Sequence, residues 1–279
     1  MTPNEVAGIR GRAAAGEAEA IAFTAVLAGL GVGEPQSWAA AGLRLRDAAA
    51  RGSAFAAGQL AVLAEGCGEA IDIPAWLAPP QRQRLLNAPR VSTVRGFLGP
   101  RACDWLIGRS RGRVSPAMVF DPDKGGARRE SARSNSAFEI PFADLDLVTV
   151  ALRARIAAMV GVPTGALEPV QVLHYAPGQT FARHYDFLDT AVPGYAADVA
   201  ARGQRIATVL VYLNDGYEGG ETDFPMVGLA FKGQAGDALM FANVDAAGRP
   251  DRQTLHAGLP PTSGEKWLLS QWIRDRAAI

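Results

Sequence analysis

Three side chains in this sequence have the types and spacing of a metal site. His184-Tyr185-Asp186 lies in a β-prone run, where side chains alternate between faces with a period of two. The imidazole and the carboxylate then project the same way, and Tyr185 projects oppositely. Only three histidines occur, at 174, 184 and 256, so few residues can supply a third ligand. His256 sits in a second short β run, Thr254-Leu255-His256-Ala257-Gly258, whereas His174, beside Tyr175 on an apolar strand, reads as a structural histidine. Two imidazoles and one carboxylate fill one face of an octahedron and leave three positions open, as in non-haem iron(II) oxygenases. A structural zinc would close its coordination with four protein ligands, commonly cysteines. Cys67 and Cys103 match neither that spacing nor a disulfide framework. Alone, a His-x-Asp pair usually means a histidine salt-bridged to a neighbouring acid; His256 gives it its meaning.

A second charge lies ten residues further on. Lysine is scarce, with Lys124, Lys232 and Lys266 among 28 basic residues. Lys266 opens an apolar strand in which Lys266, Leu268, Ser270 and Trp272 share a face. A lysine there either reaches solvent from the strand end or supplies the cation for a dicarboxylate.

These residues need a scaffold, and the chain from Val170 onward reads as many short strands: 170–175, 181–187, 206–213, 238–241, 254–258 and 266–273, with glycine and proline between them. That texture predicts a sandwich or barrel, with helices collected upstream covering one face. Upstream, 91–98 reads as a strand, Gly99-Pro100 opens a helix through Arg109, and 121–136 reads as a mobile loop. Leu145 to Val160 reads as an amphipathic helix ended by Gly161.

The first 75 residues are rich in alanine and leucine and repeat at an offset of 36. Gly16, Ala18, Ala20, Ala25, Val26, Leu27 and Ala28 return as Gly52, Ala54, Ala56, Ala61, Val62, Leu63 and Ala64. A period of this length belongs to stacked helix-turn-helix units, and the segment resembles Sel1-like or tetratricopeptide repeats. It serves either to bind a protein partner or as a plain helical cap. Pro74, Pro79, Pro80 and Pro89 break the pattern. The expected division is a repeat segment over 1–75, a proline-rich linker over 76–90 and a catalytic domain over 91–279.

With 279 residues, 48% apolar, the chain can bury a substantial core. Lysine plus arginine balance aspartate plus glutamate at 28 each, which argues against a nucleic-acid partner. The start Met1-Thr2-Pro3-Asn4-Glu5 lacks a secretory pattern, and no apolar run is long enough for a membrane span. A cytoplasmic protein without membrane contact is the expectation.

Ordered motifs extend the metal constellation. They are Ser131-Ala132-Arg133-Ser134-Asn135-Ser136, Gln171-Val172-Leu173-His174-Tyr175-Ala176-Pro177-Gly178-Gln179, His184-Tyr185-Asp186-Phe187, Tyr212-Leu213-Asn214, Glu218-Gly219-Gly220-Glu221-Thr222-Asp223-Phe224-Pro225, Gly236-Asp237-Ala238-Leu239-Met240-Phe241, and 256–272. With these, the stretch from about residue 90 to the C-terminus resembles the prolyl 4-hydroxylase branch of the 2-oxoglutarate and iron(II)-dependent oxygenases. The resemblance implies an α+β chain built on a double-stranded β-helix, or jelly roll. It implies Fe(II) on His184, Asp186 and His256, with 2-oxoglutarate and dioxygen as co-substrates and ascorbate as reductant. Lys266 would pair with the distal carboxylate of 2-oxoglutarate and Tyr175 would hydrogen-bond to it; Thr208 either assists them or is an ordinary strand threonine. Arg133, in the loop that contributes to the family's substrate groove, and Trp272 are the implied substrate contacts, though each also reads as ordinary, Arg133 as a solvated loop residue and Trp272 as core. Asn135 and Ala137 depart from the family's small-residue and glycine pattern there. The implied reaction hydroxylates a prolyl residue of a peptide or protein and releases succinate and carbon dioxide. Hydroxylation of a free amino acid or other small metabolite is the alternative, and a non-catalytic adaptor is a third reading.

Overall fold

In a computed structural model of the chain, residues 1–65, 71–120, 127–128 and 133–277 are described. Cys67 and most of the expected 121–136 loop lie outside them. Contacts divide the chain into two compact units, Met1–Pro79 with Pro141–Gly161, and Pro80–Ile140 with Val162–Ile279.

The first unit is helical. Helices Pro3–Ala14 and Ala18–Leu30 form one antiparallel pair, and Trp38–Ala50 and Ala54–Leu63 form a second. Gly16 and Gly52, which turn each pair, both take positive φ, 89° and 95°, where a side chain would be strained. Ser37 and Ser53 cap the helices that follow them, accepting from the amides of Ala40 and Ala56. Helix Leu147–Val160 belongs to this unit. Its residues are buried almost all round, not along one stripe, so it needs neighbours on several sides. It packs on helices 18–30, 54–63 and 73–77, and buried Gln59 accepts from the Leu147 amide at 2.7 Å.

The second unit holds two facing antiparallel sheets. Eight strands run in the order 83–86, 91–94, 238–242, 205–212, 266–274, 171–175, 136–139, 115–116, and four in the order 229–231, 222–224, 256–258, 181–184. This is the expected jelly roll. Strand Arg205–Tyr212 lies centrally and is apolar almost throughout because both its faces are covered. Between the sheets Tyr175, Tyr212, Phe224, Phe241, Leu210 and Leu268 form the core. Each expected strand from Val91 onward is present, with boundaries shifted by a few residues. Strand Gln83–Leu86 occupies part of the expected linker. Among the described residues no helix is long and apolar enough to cross a membrane.

Candidate active site

The two candidate histidines are direct cross-strand partners: His256 opens strand 256–258 and pairs with His184, the last residue of strand 181–184. Asp186 departs from the expectation of a shared strand. The strand stops at His184, and Asp186 lies in a bend two residues on; the bend, not alternation, turns its carboxylate toward the imidazoles. His184 Nε2 lies 3.6 Å from Asp186 Oδ1, and His256 Nε2 lies 3.6 Å from Asp186 Oδ2. One ligand atom from each of the three residues lies within 4.8 Å of the others.

The supporting bonds aim these atoms. His184 Nδ1 meets the Ala182 carbonyl at 2.8 Å and His256 Nδ1 that of Thr254 at 3.0 Å, so each ring keeps Nε2 for the shared centre. Burial, with His184 alongside, pushes the His256 imidazole down to about 4, which keeps it neutral and able to donate a lone pair at neutral pH. Burial opposes the charge of Asp186, but His256, His184 and the Thr208 hydroxyl outweigh it and hold the carboxyl well below the usual carboxylate range.

Thr208 was expected either to assist at the 2-oxoglutarate carboxylate or to be an ordinary strand threonine. Its hydroxyl donates to Asp186 Oδ2 at 2.7 Å and accepts from Asn243 Nδ2 at 3.0 Å. The sequence reading missed Asn243, and nothing in the local pattern marks it.

Lys266 and Tyr175 are cross-strand partners on the sheet facing the histidines. Lys266 is fully buried and its ammonium donates to the Gly220 carbonyl at 2.7 Å. No carboxylate among the described residues forms an ion pair with it, and its Nζ lies 5.0 Å from the Tyr175 ring centre and 5.6 Å from that of Tyr212. Burial pushes the ammonium down to about 7 and the Tyr175 phenol up to about 12, so Tyr175 keeps its proton as a donor. A buried cation without an anion beside a phenolic donor is costly alone and fits a carboxylate ligand.

Lys266, Leu268, Ser270 and Trp272, placed on one face by alternation, all line a narrow inner cavity of about 30 Å³ together with Tyr175, His184, Asp186 and His256. It adjoins an outer cavity of about 540 Å³, and Arg133, Phe181, His184, Asp186 and Trp272 line both. Arg133 is buried, not a solvated loop residue: it donates to the Met118 carbonyl and to Asn135 Oδ1. Among the described residues the buried Trp272 indole N–H has no acceptor, and the Arg205 guanidinium stacks on its ring at 3.6 Å. Arg205 and Arg274 grip Glu168, and Arg274 also grips Asp198. Arg274 follows Trp272 at the same alternation, a signal that could have found it. His174 lies outside the site, 3.5 Å from Glu265 and packed on Trp267, as a structural histidine would.

The family model of the 2OG-Fe(II) oxygenase superfamily matches residues 170–274. Probable prolyl 4-hydroxylase 7 of Arabidopsis thaliana is 33% identical over 71% of this chain and 67% of its own length. Prolyl 4-hydroxylase 1 of the same plant is 33% identical over 68% of this chain and 70% of its own. The solved structure of the viral collagen prolyl hydroxylase of Paramecium bursaria Chlorella virus-1, as its 2-oxoglutarate complex, superposes with a TM-score of 0.50 at 29% identity, covering 66% of this chain and 95% of that one. The fold, the histidine–aspartate cluster and these relatives agree, and the chain belongs to the prolyl 4-hydroxylase family of 2-oxoglutarate- and Fe(II)-dependent dioxygenases.

Proposed function

We propose that the chain hydroxylates a prolyl residue held in a peptide or protein, with His184, Asp186 and His256 as the iron ligands and Lys266 and Tyr175 as the seat of the distal carboxylate of 2-oxoglutarate. The observation that carries this reading is the pair of adjoining cavities: the inner one presents the three ligand atoms and the buried ammonium, and the outer one is open enough for an extended chain. When bound, Fe(II) and 2-oxoglutarate supply the oxidative chemistry, consuming dioxygen and releasing succinate and carbon dioxide, with ascorbate keeping the metal reduced.

The protein's own residues bind, orient and exclude water. The neutral His256 imidazole, the His184 ring and the ionised Asp186 carboxylate each offer one ligand atom to a shared centre. Lys266 and Tyr175 offer a charge-assisted and a neutral hydrogen bond deep between the sheets, which fixes the far end of the co-substrate. Leu173, Leu210 and Leu268 keep the inner cavity dry. On the outer side Arg133 and the Trp272 N–H, which has no acceptor among the described residues, offer donors to peptide carbonyls, and the Glu168–Arg205 pair holds the Trp272 ring in place.

The N-terminal helical pairs serve in this reading either as a plain helical cap or as a protein-binding accessory, and a cytoplasmic setting is part of the proposal. Succinate release with proline-containing peptides, Fe(II) and ascorbate tests the proposal. Turnover of free proline with no turnover of any peptide would reverse it in favour of a small-molecule substrate.

A further inference from the structure

We infer that Phe181 and Arg133 form a positioning stack that holds the imidazole of His184 in its metal-binding orientation. The inference rests on the reading of His184, Asp186 and His256 as metal ligands.

The two imidazoles are held differently. His256 is enclosed, with Phe224 and Phe241 ring centres 5.5 and 4.8 Å away and a side chain 6% exposed. His184 is 20% exposed. Among the described residues its Nδ1 is tethered to the Ala182 carbonyl at 2.8 Å, while Nε2 stands 3.6 Å from Asp186 Oδ1, so one short hydrogen bond on one edge holds the ring against tilting. Phe181 supplies the missing restraint. Its ring lies against the imidazole nearly parallel, at 12°, with centroids 3.6 Å apart.

Phe181 is itself clamped. The Arg133 guanidinium carbon lies 4.4 Å from the ring centre, where the ring's quadrupole attracts a cation. Arg133 has no carboxylate partner among the described residues; the Met118 carbonyl, Asn135 Oδ1 and a backbone bridge to Phe181 hold it in place. A buried guanidinium is costly without a counter-charge, and here the π face takes that role. The stack runs guanidinium, phenyl, imidazole, and its outer member lines the substrate-side cavity.

The test is titration of metal-free protein with Co(II), a redox-stable probe, without 2-oxoglutarate or peptide. Phe181→Leu, which keeps bulk but loses the planar face, is expected to weaken Co(II) binding about 10- to 100-fold, the range for partners that orient metal ligands. Phe181→Tyr restores the ring and is expected to bind within about threefold of the parent, well below that range. Arg133→Gln is expected to weaken binding by about tenfold, the low end of the same range, and decides the matter if Phe181→Leu fails to fold by circular dichroism. His184→Ala separates the two levels. If it loses Co(II) binding while Phe181→Leu and Arg133→Gln retain parental affinity, the stack is refuted and the metal site stands. If His184→Ala binds like the parent, the metal reading fails and takes the stack with it.

Discussion

Replacing Lys266 with methionine should make the protein more stable and less able to bind 2-oxoglutarate. In the ligand-free protein burial pushes the ammonium from an ordinary 10.5 down to about 7. The unfolded chain therefore binds the proton more readily, and the difference corresponds to roughly 4 to 5 kcal/mol of destabilisation at neutral pH and below. As pH rises from about 7 toward 10.5 the folded state is neutral while the unfolded state stays charged, so this lysine's penalty shrinks and stability rises with pH. Methionine removes the penalty but leaves the Gly220 carbonyl without its donor, at a cost of roughly 1 to 3 kcal/mol. The net expectation at pH 7 is a gain of roughly 1 to 4 kcal/mol, with a flatter stability–pH curve. In the same variant 2-oxoglutarate loses its charge-assisted partner, worth roughly 1.5 to 3 kcal/mol, or roughly 10- to 150-fold in affinity. Urea unfolding across pH and calorimetric titration of 2-oxoglutarate measure the two effects. A variant no more stable than the parent, with the parental pH slope, would refute the unpaired-cation reasoning; an unaltered 2-oxoglutarate affinity would remove Lys266 from the co-substrate site.

Thr208→Val strips the hydroxyl that joins Asn243 to Asp186 and is expected to weaken Co(II) binding about 10- to 100-fold. A raised Michaelis constant for 2-oxoglutarate with unchanged metal affinity would instead place Thr208 with the co-substrate. Gly220→Ala should raise that Michaelis constant, because Gly220 sits at φ 71° and an added Cβ would lie 2.9 Å from Tyr217 and 3.4 Å from the Lys266 chain; kinetics indistinguishable from the parent would show that its carbonyl does not set the lysine. Arg274→Met leaves Glu168 with one arginine and Asp198 without its buried one, and urea unfolding should record a loss of roughly 3 to 5 kcal/mol. In the helical unit, Leu27→Ala at a fully buried position should cost roughly 2 to 5 kcal/mol by the same measurement.

The parts of this site readable from sequence were those with a short period or a scarce residue type. Alternation along 266–272 placed Lys266, Leu268, Ser270 and Trp272 on the cavity face because that strand is central and keeps its register there. Scarcity of histidine selected His256. Alternation gave a wrong route to Asp186, since a strand can end between two ligands while a bend delivers the same carboxylate. Thr208 lies on the expected strand, but its position there could not tell that its hydroxyl would bond to Asp186 and Asn243. Asn243 and the pairing of Arg205 and Arg274 with Glu168 depend on contacts between segments distant in sequence; alternation could mark the face of Arg274 but not its partner. The helix Leu147–Val160 shows the same limit, since its apolar sequence marks it as buried but not which unit buries it.

The most direct measurement of the central claim is mass spectrometry of proline-containing peptides after incubation with the protein, Fe(II), ascorbate and 2-oxoglutarate, with succinate assayed in parallel. One oxygen gained on a prolyl residue for each succinate released, abolished by His184→Ala and by Asp186→Ala, is the predicted result. Turnover that survives either substitution, or succinate formation with the oxygen found on no peptide, would contradict it.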